Sequence, residues 1–409
     1  MTCRTPISRR RSSPRSTCVG SPARSGGSSS TRFVVPSRVA KNPSRAAPTP
    51  WSRPRSLRCG RAPEHASRKP VPSMIVSQLR AGAVYALSNM ALISGSSLIY
   101  SPSLDKGFAT FPLNTAEEYL QDEVMSRMRR VTNGGQVEFE LTQPVQFMAH
   151  LKQDAVPLNL MHSHNYYHFL IEALPSLLFL LERQVIGGSS IIVSGLLHPN
   201  MWTALRYLLS NAEMPVLQLR QMQMVTCDKV VTSQPASHAA QLLEGGTSDW
   251  QYDSPKLRAL RRRFEPLWAT AAEQPRRKIY VRRVSRVRSL SNAPEVEQLA
   301  QEAGYTVVQP ERMGFFEQVR LFSHASHIMG PTGAWAANLL FAPQNASIDV
   351  FYPETARTPK TVWGTLGEAL GASVNDIYCP VTRVHAPFPI HSDFRVPLDL
   401  LGDLLRRRI

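Results

Sequence analysis

Residues 278–308 read KIYVRRVSRVRSLSNAPEVEQLAQEAGYTVV, and the order of patterns within them decides the fold. The apolar run Ile279 to Arg282 predicts a buried strand. A basic loop follows, then a helix that starts at Pro294 with Asn292 as its N-cap and stops at Gly304, then a strand over Tyr305 to Val308. The alternation continues downstream. A helix over Phe315 to Ala325 leads to a strand at His327 to Gly330. The turn Gly330-Pro331-Thr332-Gly333-Ala334, a helix to Phe341 and a strand at Ser347 to Phe351 complete the run. A chain that reads βαβαβαβ predicts a parallel sheet joined by right-handed crossovers.

Upstream, short apolar runs broken by Ser-Gly, Asn-Gly-Gly and Pro fill residues 81–147, which are strand and turn signals. Residues 162–175 read HSHNYYHFLIEALP, placing three histidines, two tyrosines and a carboxylate inside an apolar helical run. With Asn165 as N-cap, His168 and Glu172 stand four apart on one helix face, and Phe169, Leu170, Ile171 and Leu174 form the buried side. Pro175 is expected to end or kink this helix before Leu177 to Leu181 resume it. Strands at Ile191 to Ser194, Val216 to Leu219 and Val225 to Thr232, with a helix over Met201 to Ser210, again argue for an α/β sheet.

The chain of 409 residues is not uniform. Residues 1–73 hold 16 Lys and Arg against the single acid Glu64, which is +15 of the formal +17. The remainder is nearly neutral, so its composition does not mark a folded nucleic-acid-binding surface. Rich in Arg, Ser and Pro and without apolar periodicity, residues 1–73 are expected to be a disordered tail or a misassigned start ahead of Met74. The organisation expected after them is an N-terminal α/β domain over 74–253 and a linker helix over 254–277. A C-terminal parallel-sheet, Rossmann-like domain over 278–390 and a C-terminal helix over 391–409 complete it.

Cys227 and Cys379 lie outside the tail and show no ligand spacing, so neither a disulfide framework nor a zinc site is implied. The most apolar window, Val84 to Tyr100, is interrupted by serines and a glycine and falls short of the roughly 20 residues of a membrane span. A soluble, cytoplasmic protein is expected. The C-terminal helix Leu400 to Arg408 is read as packing on the first domain in preference to a peripheral contact with anionic lipid at the inner membrane face.

Chemistry gathers at the carboxyl ends of the second set of strands, where open parallel sheets bind ligands. Arg282, Arg283, Arg286 and Arg288 place four guanidinium groups within seven residues, each suited to phosphate oxygens. In the turn after the third strand, Gly333 lets backbone approach a ligand, and the following helix start offers unpaired N–H groups. Together they suggest a diphosphate. The spacing matches neither GxGxxG nor a Walker loop, which argues against a dinucleotide cofactor or an ATPase.

Three blocks in order resemble the catalytic region of glycosyltransferase family 61, which includes plant xylosyl and arabinosyl transferases, animal O-linked N-acetylglucosaminyl transferases and bacterial capsular polysaccharide biosynthesis proteins. They run from Asn165 to Pro175, from Lys278 through Arg288 to Asn292, and from Glu317-Gln318-Val319 through the Gly330–Ala334 turn to Asn338 and Phe341. Two positions depart from the usual pattern: Thr332 stands where many members carry His, and Ala293 where many carry Glu.

The resemblance implies a GT-B-like pair of Rossmann-type domains with a nucleotide-sugar donor in the cleft. It also implies inverting transfer of a hexosyl or pentosyl group to the hydroxyl of a glycan or glycolipid acceptor, in the making of a surface or capsular polysaccharide. Either His168 or Glu172 would take the acceptor proton, with the other orienting it. Arg283, Arg286, Arg288, Asn292, Thr332, Gly333, Ala334 and Asn338 would hold the donor. No Asp-x-Asp occurs in the chain, and although His164, His168 and Glu172 have the spacing to hold a divalent ion, neither a metal nor a resident cofactor is expected. The rival readings are a non-catalytic nucleotide-sugar-binding homologue and, ranked last, a nucleic-acid-binding protein acting through its basic tail.

Overall fold

The computed structural model describes residues 75–78, 83–96, 98–102, 106–109, 128–133, 136–141, 145–158, 160–195, 197–210, 212–238, 250–269, 277–356, 361–385 and 389–407. The expected tail, residues 1–73, lies outside them. The described residues form a mixed α/β structure built on two larger sheets.

The first sheet contains β1 (Ile75–Gln78), β2 (Val84–Ile93), β3 (Leu98–Ser101), β4 (Lys106–Ala109), β7 (Gln146–Leu151), β8 (Ala155–Pro157), β9 (Ser190–Ser194), β10 (Val216–Leu219) and β11 (Gln223–Ser233). A separate ribbon pairs β5 (Met128–Asn133) with β6 (Gln136–Leu141). The order is β1-β4-β3-β2-β11-β8-β9-β10, with β7 beside the start of β11. From β11 to β10 the pairing is parallel, whereas β2, β3 and β4 form an antiparallel flank joined to β11 by β2.

A small ribbon, β12 (Ser237–His238) with β13 (Gln251–Tyr252), lies between the sheets in sequence. The second sheet contains β14 (Arg277–Val281), β15 (Thr306–Val308), β16 (Ala325–Pro331), β17 (Ser347–Pro353) and β18 (Ser373–Cys379). All its pairs are parallel, in the order β15-β14-β16-β17-β18. In that order the chain reverses direction across the sheet between β14 and β16, so the loops leaving these strands splay apart and open a crevice at their carboxyl ends.

The helices are α1 (Leu174–Glu182), α2 (Pro199–Leu208), α3 (Ser254–Phe264), α4 (Ala293–Glu302), α5 (Phe315–Ser323), α6 (Val362–Leu370) and α7 (Leu398–Arg406). One continuous core joins most of them: Phe169, Leu174 and Leu177 meet Leu257, Leu260 and Phe264 of α3 and Val319, Phe322 and Leu339 from the second half. Residues 254–264, expected as a linker, are therefore a packed helix whose apolar side is buried, and Arg261 adds hydrogen bonds to Leu340 O and Ala342 O at 2.9 and 2.6 Å.

Four local expectations are corrected. Pro175 neither ends nor breaks its helix. A π-turn over His168–Ala173, in which Leu174 N–H donates to Phe169 O, precedes it, and the wider turn makes room for a ring that would otherwise press on the carbonyl four residues back. Asn292 occupies the N-cap position of α4 but does not cap it. Its side chain instead bonds both backbone groups of Val396, at 2.8 and 3.1 Å. The segment after Gly333 is a 3-10 helix over Ala334–Leu340, tightened by Trp335 Nε1 donating to Pro331 O at 2.6 Å. Helix α7 packs through Leu401, Leu404 and Leu405 on Val296, Ala300, Tyr280 and Phe394 of the second half, not on the first.

Among the elements not anticipated are α6 and β18. Gly364 and Gly367 read as breakers in sequence, but each marks close approach of helix to strand. A Cβ at Gly367 would meet Val374 Cγ2 at 2.5 Å and Ala372 O at 3.0 Å.

At the amino ends of the strands, away from the crevice, a buried polar row crosses the sheet. Tyr305 OH meets His327 Nδ1, His327 Nε2 lies 2.7 Å from Asp349 Oδ2, and Asn375 Nδ2 donates to Asp349 Oδ1 at 3.0 Å. Asp349 is fully buried, so its removal strands the buried imidazole of His327, whereas the exposed Asn375 can turn to water. Asp349→Ala is expected to lower stability by about 3 kcal/mol in urea unfolding. A loss below about 1 kcal/mol would show that this row is not a stabilising network.

Candidate functional site

The carboxyl end of β9 carries the histidine-rich segment. Ser163 Oγ donates to Ser194 O and accepts from Ser194 N–H, both at 3.0 Å, so the segment is stitched to the strand end. Asn165 caps the next turn of chain, its Oδ1 accepting from Tyr167 N–H at 2.9 Å. The helix start then sends its two tyrosines in different directions. Tyr166 OH donates to Asn338 Oδ1 at 2.8 Å, across to the second half. Tyr167 OH lies 2.7 Å from Tyr252 OH and 3.2 Å from Ser237 Oγ. Burial pushes both phenols well above their ordinary range, so they act as neutral hydroxyls.

His168 and Glu172 come together as their spacing suggests. His168 Nδ1 lies 2.9 Å from Glu172 Oε1, an ion-pair distance with the ring turned off the line of a good hydrogen bond. Their surroundings differ. Glu172 is 3% exposed and accepts from Ser237 Oγ at 3.1 Å, whereas the His168 side chain keeps 22% of its surface and stacks on His162 with ring centroids 4.5 Å apart. His164 stands beside them, its pKa lowered by burial and by His168. Among the described residues no three His, Cys, Asp or Glu side chains are grouped to hold a metal ion.

Facing this segment are the strand ends of the second sheet. A cleft of about 220 Å³ is lined by His164, Tyr166 and Met201 on one side and by Glu311, Ala334 and Trp335 on the other. The two walls are tied behind it, since Trp363 packs edge-on against Tyr167 and its Nε1 donates to Thr332 Oγ1 at 2.9 Å.

The four arginines separate into different environments. Arg282 is paired with Glu297 through two hydrogen bonds, and Arg286 is exposed. Arg283 and Arg288 turn inward. The Arg283 guanidinium covers Gly333 so closely that a Cβ there would collide with it. Arg288 adopts a left-handed backbone, φ 54°, unusual for a residue with a side chain, and is held there by its N–H donating to His391 O at 2.9 Å.

Among the described residues neither inward guanidinium has a carboxylate within ion-pair distance, and the Nε of each is buried without a hydrogen-bond partner. Burial, then the neighbouring Arg288, lower Arg283 to about 10, against an opposing pull from Glu311. Burial lowers Arg288 as well. Both remain charged at neutral pH, so the fold bears the cost of two neighbouring buried cations, which an anion between them would offset.

Of the expected donor-site residues, the structure thus groups Arg283, Arg288 and Gly333, with Ala334 at the cleft wall. Arg286 points to solvent. Asn292, Thr332 and Asn338 are buried and engaged by Val396, Trp363 and Tyr166, and the short 3-10 turn after Gly333 leaves little helix dipole to offer. Sequence reasoning passed over Ser237, Tyr252, Glu311 and Trp363, which lie in segments without a recognisable pattern. Glu311 alone carried a usable signal, as an acid three residues beyond the second strand of a parallel sheet.

Residues 166–348, the span from the tyrosine pair to β17, match the family described as Glycosyltransferase 61. This span is similar to glycosyltransferase family 61. No curated protein matches the chain. The matched segment begins at Tyr166 on one wall of the cleft and takes in Trp335 on the other, and Arg283 and Gly333 both fall inside the match. Among the described residues no helix is long and apolar enough to cross a membrane.

The two unpaired arginines give a test that needs no substrate. Arg283→Met removes a buried charge while keeping much of the side-chain volume, so the ligand-free protein is expected to gain about 1–2 kcal/mol and melt higher. Folded Arg283 has a lowered pKa, so its penalty is fully present at neutral pH and fades only as pH rises through about 10. A lower melting temperature at pH 7 would mean that Arg283 is a stabilising structural group.

Proposed function

We propose that this glycosyltransferase binds a nucleotide-sugar donor with its diphosphate between Arg283 and Arg288, and transfers the sugar with inversion to an acceptor hydroxyl presented from the His168 side of the cleft. The observation that carries this reading is the pair of inward, carboxylate-free guanidinium groups at the switch point of a parallel sheet. Departure of a nucleoside diphosphate builds negative charge, and fixed cations in a partly desolvated site stabilise it as it forms. Two guanidinium groups and the absence of Asp-x-Asp favour a mechanism in which arginine, not a bound metal, meets that charge. The family relationship supports placing the two sheets in a GT-B-like arrangement, with a hexose or pentose as the group moved and a surface glycan as the product.

Inverting transfer also needs a base for the acceptor proton. His168 suits it better than Glu172, because the imidazole keeps an open face while the carboxylate is enclosed. Glu172 is then the orienting group, held in place by Ser237, and Tyr167 and Tyr252 extend that support to the carbonyl of Val362, to which Tyr252 OH donates at 3.1 Å.

A thermal-shift screen of the full chain against nucleoside diphosphates and nucleotide sugars tests the donor site, because a ligand bound only by the native state must raise the melting temperature. Stabilisation by one nucleotide class, lost in Arg283→Ala, is the expected result. No response to any of them would sink the donor reading and favour a degenerate homologue. With the donor so identified, His168→Ala should lower kcat about 100-fold or more while the protein stays folded, and Glu172→Gln should cost less. Unchanged turnover in both would remove these residues from the mechanism.

A further inference from the structure

The inward arginines have a third neighbour that the transfer reaction has not used. The chain returns over the Arg loop as a strap. A 3-10 turn at Pro389–His391 leads into the short strand Asp393–Phe394, and residues 289–292 bond along it. Arg288 N–H donates to His391 O, Ser291 N–H donates to Phe394 O, and Asn292 holds Val396. His391 is thereby fixed beside Arg288, half-buried.

We propose that His391 is a proton-coupled ligand for the donor's diphosphate: its imidazole is neutral when the site is empty and takes a proton from solvent when the anion binds, becoming a third cation beside Arg283 and Arg288. The inference rests on the diphosphate reading of the arginine pair.

The charged and titratable groups around His391 come from several elements. Arg283 and Arg288 face it from the loop after β14, and His385 from the strap's approach. Asp393 is already committed, with His385 Nε2 3.0 Å from its Oδ2 and Ser289 N–H donating to its Oδ1 at 2.7 Å. Tyr352 of β17 interacts with Arg288, and Glu311 approaches Arg283 from the exposed far rim. Among the groups named, Arg288, Arg283 and His385 are those that act on His391.

Burial, then Arg288, Arg283 and His385, hold the imidazole below its ordinary value of 6.5. A diphosphate would reverse the sign of the local field. The affinity gain is absent well above the pKa of the bound state, grows as pH falls through it, and levels off below the lowered pKa of the empty site.

The test is isothermal titration of the full chain with inorganic pyrophosphate, run at about pH 6 to 8 in buffers of different ionisation enthalpy, for wild type and His391→Gln. Pyrophosphate titrates in this range too, so the difference between the two proteins isolates the imidazole. Wild type should take up more protons than the variant, and the ratio of their affinities should rise toward low pH, at most about tenfold per unit. In addition, NMR of the histidine-labelled wild type near pH 7 should show one imidazole moving to the protonated form on adding pyrophosphate, a readout that does not depend on the variant folding.

Equal proton uptake in both proteins, or no such NMR change, with pyrophosphate binding still lost in Arg283→Ala, would overturn the role of His391 and leave the diphosphate site standing. No pyrophosphate binding by the wild type at any pH would overturn both.

Discussion

Two guanidinium groups side by side in a partly dry site repel each other, and neither carries a carboxylate to relieve the strain. Such an arrangement exists only because other contacts hold it. The parallel sheet brings the loop after Val281 against Gly330, where a Cβ would lie 2.8 Å from Val281 O, so the two strand ends can close only over a hydrogen. The strap then fixes Arg288 in its left-handed conformation, and α7 seals the strap by burying Leu401 and Leu405 beside Phe394. Remote packing thus stabilises local repulsion.

The opposite wall obeys a different logic. There most of the polar groups are satisfied before any ligand arrives: Tyr166 with Asn338, Tyr167 with Tyr252, Glu172 with Ser237. The satisfied network rigidifies the helix start. The π-turn contributes by widening the ladder just ahead of Pro175, so the helix continues with Glu172 enclosed and His168 partly open. One wall stores unfavourable charge and the other stores order. A transferase needs both, since the leaving group demands charge and the acceptor demands orientation.

Much of the second sheet was legible in the sequence because its strands are short apolar runs bounded by Gly and Pro, and its helices show clear caps and periodicity. The expected strands at 279–282, 305–308, 327–330 and 347–351 differ from the observed ones by a few residues at their ends. Helix Val362–Leu370 escaped notice because its glycines serve packing against Val374, a tertiary reason invisible in a local pattern. Asn292 sat where a cap belongs but is claimed by Val396, 104 residues away. The candidate site was legible only as a set of types. Four arginines looked equivalent, and what separates Arg283 and Arg288 from Arg282 and Arg286 is Glu297, Gly333 and the strap, each supplied by another part of the chain. The helix dipole expected after Gly333 was lost to a 3-10 turn set by the Trp335–Pro331 bond.

The strap has a consequence for the order in which the molecule is made. Ribosomes release a chain from its amino end, and the Arg loop emerges roughly a hundred residues before the segment that restrains it. Until residues 389–406 have been synthesised, nothing holds Arg288 in its unfavourable backbone state, and the loop is free to relax. The segment around His168 also waits on later residues, since Tyr166 bonds Asn338 and Trp363 packs on Tyr167. Each wall is thus completed by residues made well after its own.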